Sequence, residues 1–407
     1  MRVFLLTALL LTTFALVQAQ EKKTYTDILN ILKEKNIISP AEYDDYKAQM
    51  AGTAEMNAAR AAADTTKVFK PRVEFHGIGQ VAYWYNDSPV SSVNNSFEMV
   101  RAAIYGGAYL TRNIDFFTLY YFQPSSIQKV HELFGRWRIL PEVGVRVGLM
   151  KNPLTFENNV SSLVLQTIDY SQSISALTGL GTDVMGPSSG RDAGMEVFGS
   201  LFKVRDYRLL DYRLGVFNGA GIQNLKDNNN HKDVSGSLTL QPIKGNYLSG
   251  GFYIGQGHYT KKGAAVASNY KRNRWTLGLL HDSKRFYGRA EYIRGIDDDI
   301  KRHGFYALGI YHPLPQIDVT LVYDWYNDNL DVTDTGFYVP VGGNAPEWYN
   351  AANAKGKAVS MKYSIGGTYR FTKRVRVQAF YTFTQNDAQT YYTKNTNKAT
   401  VQLELGF

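Results

Sequence analysis

The stretch "ATVQLELGF" (residues 399–407) alternates apolar and polar side chains up to its final aromatic residue. In an extended strand, such a sequence places its apolar members on one face and its polar members on the other. Chain termini are usually polar and loosely held, so an alternating stretch that ends on Phe407 predicts that the terminal residue is part of a strand. A last strand that pairs with a first strand has this property, which favours a closed barrel.

The same period of two starts at Arg72 and continues along the rest of the chain. In "EVGVRVGLM" (142–150), for example, three valines and a leucine share one face, while Gly144, Arg146 and Gly148 share the other. The pattern predicts about sixteen strands, most of them about 9–14 residues long, which is the length that a tilted transmembrane strand requires.

The connections between these strands alternate between short and long. The short ones fall at 111–113, 140–142, 205–207, 241–246, 281–284, 312–316 and 371–373, and the long ones include 86–97, 151–190, 218–233, 257–269 and 327–358. A β-sandwich has no reason to alternate in this way, whereas outer-membrane barrels have short periplasmic turns and long external loops. We therefore predict an all-β fold, a closed antiparallel transmembrane β-barrel of about 16 strands over residues 71–407.

The N-terminal part of the chain has a different pattern. Residues 1–20, "MRVFLLTALLLTTFALVQAQ", combine a basic residue, an apolar run and small residues at the end, and they predict a secretory signal peptide over 1–19. A membrane anchor is the alternative, but a spanning helix needs about 20 apolar residues. Residues 20–70 predict a short N-terminal helical periplasmic segment, with helical spacing over 24–50, and an Ala-rich linker. Export and the barrel pattern together predict the outer membrane of a Gram-negative bacterium.

The composition argues against several classes of function. The chain has no Cys, which rules out a disulfide scaffold, a zinc–thiolate site and a cysteine nucleophile. Its net charge of +9 suits a membrane surface or an anionic solute, and an exported protein has little access to nucleic acid. The seven His residues are scattered without a metal-binding spacing, and no Ser, His and Asp set stands at the strand ends. We therefore expect no enzyme activity, no metal and no cofactor.

Aromatic residues cluster near the predicted strand ends, as in the interfacial girdles of membrane barrels. They are Tyr83, Trp84, Tyr85, Tyr120, Tyr121, Trp325 and Tyr326. Platforms for stacking sugar rings are the alternative interpretation of this set.

The long connection at 151–190 is too long to be a plain turn, and it contains prolines, glycines and an amphipathic middle section. We predict that it folds into the barrel and narrows it, which would bring Lys151 and Arg191 close to the constriction. The alternative is an outward loop that covers a neighbouring subunit of a trimer.

Side chains alternate between the two faces of a strand, and this alternation, called strand parity below, assigns many basic side chains to the face opposite the apolar stripe, where a lumen would be. The candidate pore-lining and anion-binding residues are Arg136, Arg138, Arg146, Lys151, Arg191, Arg213, Arg272, Arg274, Arg285, Arg289, Lys362, Arg370, Arg374 and Arg376. Basic residues outnumber acidic ones on this face, and rings of Arg and Lys select anions in pores. The alternative is that these charges pair across the wall and only hydrate the lumen.

Residues 146–199 provide a more specific signal, because they resemble the strand, long loop and strand segment of the phosphate-selective porin O and P family. The matching positions are Arg146, Gly148, Lys151, Pro153, Glu157, Arg191, Asp192, Gly194 and Gly199. The resemblance implies a sixteen-stranded, usually trimeric outer-membrane channel that prefers anions. The arginine ladder of the family's phosphate-specific members does not map one to one onto this sequence. The resemblance therefore supports a porin more strongly than it supports phosphate.

Together these patterns predict a porin for the passive diffusion of small, preferentially anionic solutes, with phosphate as one candidate. The expected partners are outer-membrane lipid, small anions, further copies of the chain in a homotrimer, and the outer-membrane assembly machinery, whose recognition signal the terminal Phe407 resembles. Two alternatives stay open at this stage: a carbohydrate or general diffusion porin, and a non-conducting structural or adhesive outer-membrane barrel.

Overall fold

The computed structural model describes residues 69–407, apart from 89–92, 123–128, 181–187, 223, 225, 261–264, 332–336, 339–358 and 391–392, together with Lys33. The chain divides into two units, residues 1–69 and 70–407. The predicted signal peptide lies outside the described residues, and so does the predicted helical segment at 24–50 except for Lys33. None of the helices in the described ranges is long and apolar enough to cross a membrane.

Sixteen long strands and one very short strand form a single sheet. They are β1 (Arg72–Asn86), β2 (Asn95–Tyr109), β3 (Ile114–Tyr121), β4 (Val130–Leu140), β5 (Val143–Lys151), β6 (Arg191–Val204), β7 (Tyr207–Phe217), β8 (Asp233–Ile243), β9 (Asn246–Tyr259), β10 (Ser268–Asp282), β11 (Phe286–Asp297), β12 (Ile300–Leu314), β13 (Ile317–Asn327), β14 (Phe337–Tyr338), β15 (Val359–Arg370), β16 (Val375–Thr390) and β17 (Thr393–Gly406).

Each long strand pairs antiparallel with its neighbours in chain order, and β13 pairs directly with β15. The two-residue strand β14 lies apart from this series and pairs parallel with the end of β16. The last strand pairs with the first, from Ile78 opposite Gly406 to Asn86 opposite Lys398. The sheet therefore closes on itself, and the predicted antiparallel barrel of sixteen strands is confirmed.

The apolar side chains of the strands point outwards. On β17, Val401 and Leu405 are each 49% exposed, whereas Gln402 between them is 1% exposed. On β10, Leu277 is exposed and its neighbour Thr276 is buried. This arrangement is the reverse of a soluble barrel, in which apolar residues fill the centre. An extended apolar outer wall is stable in contact with lipid, so the fold is that of a transmembrane barrel.

The junction between β17 and β1 is reinforced at both faces of the wall. On the backbone, Phe407 N–H donates to the Gly77 carbonyl at 3.0 Å. The phenyl ring of Phe407 lies over Gly77, where a Cβ atom would come within 1.9 Å of the ring. On the inner face, the Glu404 carboxylate accepts hydrogen bonds from Gln80 and from Arg376, each at 2.7 Å. One carboxylate thus joins β16, β17 and β1.

The predicted aromatic girdle is only partly correct. Tyr83, Tyr85 and Tyr120 are exposed on the outer face, in agreement with the prediction. Tyr121 and Tyr326 are buried on the inner face instead. Neighbouring residues in a strand point to opposite faces, so two aromatic residues in succession cannot both face lipid.

Replacing Glu404 by Ala is expected to lower the free energy of unfolding of the barrel by about 1–3 kcal/mol, because Gln80 and Arg376 lose a shared buried acceptor. The measurement is the urea midpoint of the refolded barrel in lipid vesicles, followed by tryptophan fluorescence. Glu98→Ala is the matched control, since Glu98 accepts a hydrogen bond from Trp84 in an exposed position. Equal midpoints for the two variants would contradict the proposed role of Glu404 in closure.

Candidate functional site

The connection between β5 and β6 folds into the barrel instead of extending outwards. Its described part contains helix α1 (Phe156–Asn159), a 3-10 helix (Ser162–Val164) and helix α2 (Gln172–Leu177). Short polar side chains cap the first two, with Thr155 Oγ1 accepting from Asn158 N–H at 2.9 Å and Ser161 Oγ accepting from Leu163 N–H at 3.3 Å. The predicted inward fold of this segment, called the inner loop below, is confirmed.

Apolar contacts hold the inner loop against the wall. Leu154, Ile174 and Leu177 belong to one buried cluster. Its members on the barrel strands are Tyr253, Ile293, Tyr306, Leu308, Ile310 and Tyr326. A second buried cluster packs Leu163 of the inner loop against Ile78, Ala103, Leu119 and Tyr121 of β1, β2 and β3. The inner loop therefore contacts β9 to β13 through one part and β1 to β3 through another.

Two glycines give the inner loop the room for this packing. A Cβ atom on Gly304 would lie 2.4 Å from the Cβ atom of Ser173, and a Cβ atom on Gly295 would lie 2.6 Å from Leu177 Cδ2. Any larger residue at these positions on β11 and β12 would push α2 away from the wall.

Buried carboxylates of the wall accept hydrogen bonds from backbone N–H groups of the inner loop. Glu291 accepts from Phe156 N–H at 2.6 Å and from Glu157 N–H at 2.8 Å. Asp324 accepts from Gln172 N–H at 2.7 Å through Oδ2. The first N–H groups of a helix have no partner within the helix, so acidic wall residues at these places fix where α1 and α2 begin.

Glu157 ties the inner loop to itself and to β11. Its Oε2 accepts from the N–H and the hydroxyl of Ser171, at 2.9 and 2.7 Å, and its Oε1 accepts from Arg289 at 3.1 Å. Tyr170, next to this contact, donates to the Val160 carbonyl at 2.9 Å. Burial raises the pKa of Tyr170, so its hydroxyl stays protonated and keeps donating at physiological pH.

Lys151 and Arg191 lie at the two ends of the inner loop, as predicted, but both are buried. The Lys151 ammonium donates to the carbonyls of Asn158 and Val160, each at 2.7 Å. Arg191 pairs with Glu132 at 2.6 Å. We expected these two residues to line the pore close to the constriction; instead their donors are used to hold the base of the inner loop.

Three further candidates, Arg272, Arg274 and Arg289, are also buried. Arg272 and Arg274 pair with Asp297 at 3.3 and 2.7 Å, and Arg302 pairs with the same carboxylate. Arg274 also donates to the Leu177 carbonyl of the inner loop at 2.9 Å. Strand parity correctly assigned these side chains to the inner face, but it could not show that the inner loop covers them.

Arg302 is a member of this cluster that the sequence interpretation missed. It is fully buried at the start of β12. The signal was present, because Arg302 alternates in phase with Tyr306 and Leu308, but the polar residues around the two-residue turn between β11 and β12 hid the true start of β12.

Two carboxylates on the inner wall are each paired with two arginines. Asp115 contacts both Arg136 and Arg138, with the Arg136 pair at 2.9 Å. The partner carboxylate of the second cluster is Glu196, which contacts Arg146 and Arg213, with the Arg213 pair at 2.9 Å. The four guanidinium groups are partly exposed, up to 41% for Arg138, whereas both carboxylates are buried. Each cluster therefore presents one surplus positive charge, and we call the two together the arginine clusters.

The remaining candidates fall into three situations. Arg370 and Arg376 each pair with one carboxylate, Asp318 and Glu404. Lys362 is half-buried and makes no ion pair with any residue that the structure describes. The last two, Arg285 and Arg374, are exposed in the short turns outside the strands. The alternation on which their assignment to the lumen rests does not extend to these turns, because it stops where a strand ends.

A cavity of about 520 Å³ lies between the inner loop and the inner faces of β12, β13, β15, β16 and β17. We call it the vestibule. It lies at the end of the barrel that carries the long connections, since its lining includes Asn86 at the end of β1 and Ser360 at the start of β15. That end faces the outside of the cell in outer-membrane barrels.

Comparison with known proteins identifies the fold. No protein-family profile matches the sequence, and no curated protein matches it. Among solved structures, the chain is similar to an anion-selective porin from Comamonas acidovorans, with a TM-score of 0.59 and 12% identity over 83% of this chain and 100% of that one. It is similar to OprB of Pseudomonas putida, with a TM-score of 0.58 and 10% identity over 83% of this chain and 94% of that one.

A third similar structure is the trimer form of OmpT, an outer membrane protein of Vibrio cholerae, with a TM-score of 0.55 and 9% identity over 83% of this chain and 100% of that one. At these identities the similarity concerns the fold. The chain has the barrel architecture found in outer-membrane porins.

Proposed function

We propose that this protein is an outer-membrane porin through which small hydrophilic solutes diffuse passively, with a preference for anions. The observation that carries the proposal is the unequal pairing in the arginine clusters, where each of two buried carboxylates contacts two partly exposed guanidinium groups. Water in a barrel of this kind would meet the surplus positive charge directly.

In such a pore, the unpaired charges next to the water path influence a passing ion more than the net charge of the whole chain does. Paired charges that are buried contribute little to the potential felt by a passing ion, because their fields nearly cancel. A surplus guanidinium next to the water path is different, since rings of Arg and Lys attract anions and repel cations at short range. At physiological salt the Debye length is about 8 Å, so only charges on the inner wall itself can act on the permeating ion.

Inorganic phosphate is the anion that the resemblance in the sequence favours. Arg146 and Arg213 converge on one carboxylate, and Arg146, which uses only its Nε and Nη2 atoms on Glu196, keeps donors that could fork onto a phosphate. Three other residues of the resembling segment, Lys151, Glu157 and Arg191, hold the inner loop in place. The segment therefore supports a porin with a folded inner loop, and phosphate selectivity is part of the proposal.

We further propose that the working form is a homotrimer. The support is the similarity to the trimer form of OmpT and the exposed apolar outer wall.

Replacing Arg138 and Arg146 together by Gln is expected to lower the anion-to-cation permeability ratio. Each cluster then keeps one guanidinium for its carboxylate, Asp115 or Glu196, and loses its surplus charge. A unit charge a few ångströms from an ion in water is worth about 1 kcal/mol, so the ratio is expected to fall by about fivefold. The measurement is the reversal potential in planar bilayers under a KCl gradient.

The matched control is the double replacement of Arg285 and Arg374 by Gln. It removes the same total charge from the chain but acts in exposed turns outside the strands. We expect this control to keep nearly the wild-type reversal potential. If both double variants shift the potential equally, or if the wild type prefers cations, the arginine clusters do not set the selectivity.

Replacing Glu291 by Gln is expected to raise the single-channel conductance and the current noise. The amide nitrogen of Gln would face the N–H groups of Phe156 and Glu157, so one of two charge-assisted hydrogen bonds to α1 is lost. Such a loss costs about 1–3 kcal/mol, which raises the fraction of time that the inner loop is detached by about 5-fold to 150-fold.

The control for this variant is Asp318→Asn. It also converts an inner-wall carboxylate to its amide, but the hydrogen-bond partners of Asp318 are Arg370 and His312 on the wall itself. Conductance and noise that stay at the wild-type level in Glu291→Gln would show that the inner loop does not limit the current.

A further inference from the structure

The seven short turns at one end of the barrel carry a surplus of positive charge. They span residues 110–113, 141–142, 205–206, 244–245, 283–285, 315–316 and 371–374. Together they contain seven basic and two acidic residues, whereas the connections at the opposite end contain seven basic and eleven acidic residues, counted along the sequence. We call the basic residues of the turns the basic ring: Arg112, Arg205, Lys244, Lys284, Arg285, Lys373 and Arg374. Short turns face the periplasm in outer-membrane barrels, so the charge of the connections differs between the two sides of the membrane.

The side chains of the basic ring are accessible, and most of them have no acidic partner. All seven are exposed. Lys244 pairs with Asp206, and the other acidic residue of the turns, Glu142, pairs with Arg208 on β7. The members that make no ion pair with any residue that the structure describes are Arg205, Lys284, Arg285, Lys373 and Arg374. Their charge is therefore available to an anionic group from outside the chain.

Each of the five turns that contribute to the basic ring also has an exposed apolar side chain within three residues of its charge. These apolar residues are Leu110, Phe202, Ile243, Phe286 and Phe371, each more than half exposed. Phe286 lies against Tyr311, with ring centroids 5.1 Å apart, and Phe371 lies against Tyr369 at 4.8 Å. Exposed aromatic residues concentrate where the hydrocarbon region of a membrane meets its headgroups. Basic and apolar groups side by side are thus the combination that fits the headgroup level of a bilayer.

We propose that the basic ring binds the phosphate headgroups of anionic phospholipids in the periplasmic leaflet of the outer membrane. Lys and Arg near a bilayer are attracted to anionic lipids, and Arg can donate two hydrogen bonds to one phosphate. The exposed apolar residue of each turn would contact the acyl chains of the lipid whose headgroup the basic residue binds. A free phosphate ion has no acyl chain and can make only the second contact, so the arrangement favours a lipid.

The proposed lipid contact goes beyond the channel function and does not depend on conduction. It rests on the closed barrel and on the exposed turns, whereas the proposed anion preference rests on the arginine clusters of the inner wall. The two sets have no residue in common, so the failure of one proposal leaves the other standing.

The test measures which lipids stay bound to the whole protein. The barrel is equilibrated in detergent micelles with equal amounts of phosphatidylglycerol and phosphatidylcholine that have identical acyl chains, and native mass spectrometry counts the lipids that it retains. We expect the wild type to retain more phosphatidylglycerol at low salt. This preference should disappear at about 1 M salt, where the Debye length is about 3 Å.

Replacing Lys284, Arg285, Lys373 and Arg374 together by Gln is expected to lower the ratio of bound phosphatidylglycerol to phosphatidylcholine by about fivefold or more. A single Lys or Arg at an anionic membrane surface contributes about this factor. The double variant of one turn, Lys284→Gln with Arg285→Gln, changes fewer side chains and should give an intermediate ratio, which keeps the test decisive if the fourfold variant does not fold.

The matched control replaces four exposed lysines at the opposite end of the barrel by Gln: Lys226, Lys232, Lys271 and Lys301. It removes the same charge from the chain as the fourfold turn variant does. We expect the control to retain the two lipids in the wild-type ratio, because its substitutions lie away from the short turns.

Each outcome decides for or against the lipid assignment. Equal retention of the two lipids by the wild type, or an equal fall of the ratio in the turn variant and the control, overturns it. Loss of the preference when inorganic phosphate is added at the concentration of the lipid shows that the basic ring binds a free anion instead. Loss of the preference when poly-L-glutamate is added at equal charge indicates an acidic polypeptide. A preference that the turn variant loses and the control keeps supports the proposal, whether or not the barrel conducts.

Discussion

The hydrogen bonds between β17 and β1 are the constraint on which the rest of this structure depends. A sheet of sixteen strands with free edges would expose a row of unpaired N–H and C=O groups, which lipid cannot satisfy. Closing the sheet removes both edges, and it also fixes an inside and an outside for every strand. Since the outside faces acyl chains, the apolar half of each strand must point outwards. Most polar side chains of the strands are then forced into the enclosed space.

The crowding of charge inside the barrel explains the way in which the inner loop is held. A buried charge is costly unless it is paired and hydrogen-bonded. The wall solves this partly with ion pairs, as at Asp297 with its three arginines. Two further buried carboxylates, those of Glu291 and Asp324, accept hydrogen bonds from backbone N–H groups of the inner loop. The same side chains therefore set both the charge of the inner wall and the position of the inner loop, so a change in one alters the other.

The strand pattern was readable from the sequence because alternation is a local property, repeated about sixteen times and punctuated by short turns. Parity along each strand also assigned most basic residues to the correct face. Strand parity gave no reliable assignment beyond the strand ends, and it could not show which inner-face residues are covered by a distant part of the chain. Arg285 and Arg374 lie just beyond strand ends, and Arg272 and Arg274 are covered by a segment about 100 residues away in the sequence. Pairing between side chains on different strands depends on register, and register is a property of the closed sheet and not of any single strand.

The net charge of +9 is therefore a poor guide to the proposed ion selectivity, because most of the charged side chains on the inner face form ion pairs with one another. What matters for the proposed anion preference is where the pairing is unequal. The arginine clusters lie on β3 to β7, and Arg138 is close to the short turn before β5. The vestibule lies at the opposite end, among the long connections. A solute that enters from outside would meet the vestibule first and the surplus positive charge afterwards. In the proposed channel, electrostatic selection would therefore act only after the solute has passed the vestibule.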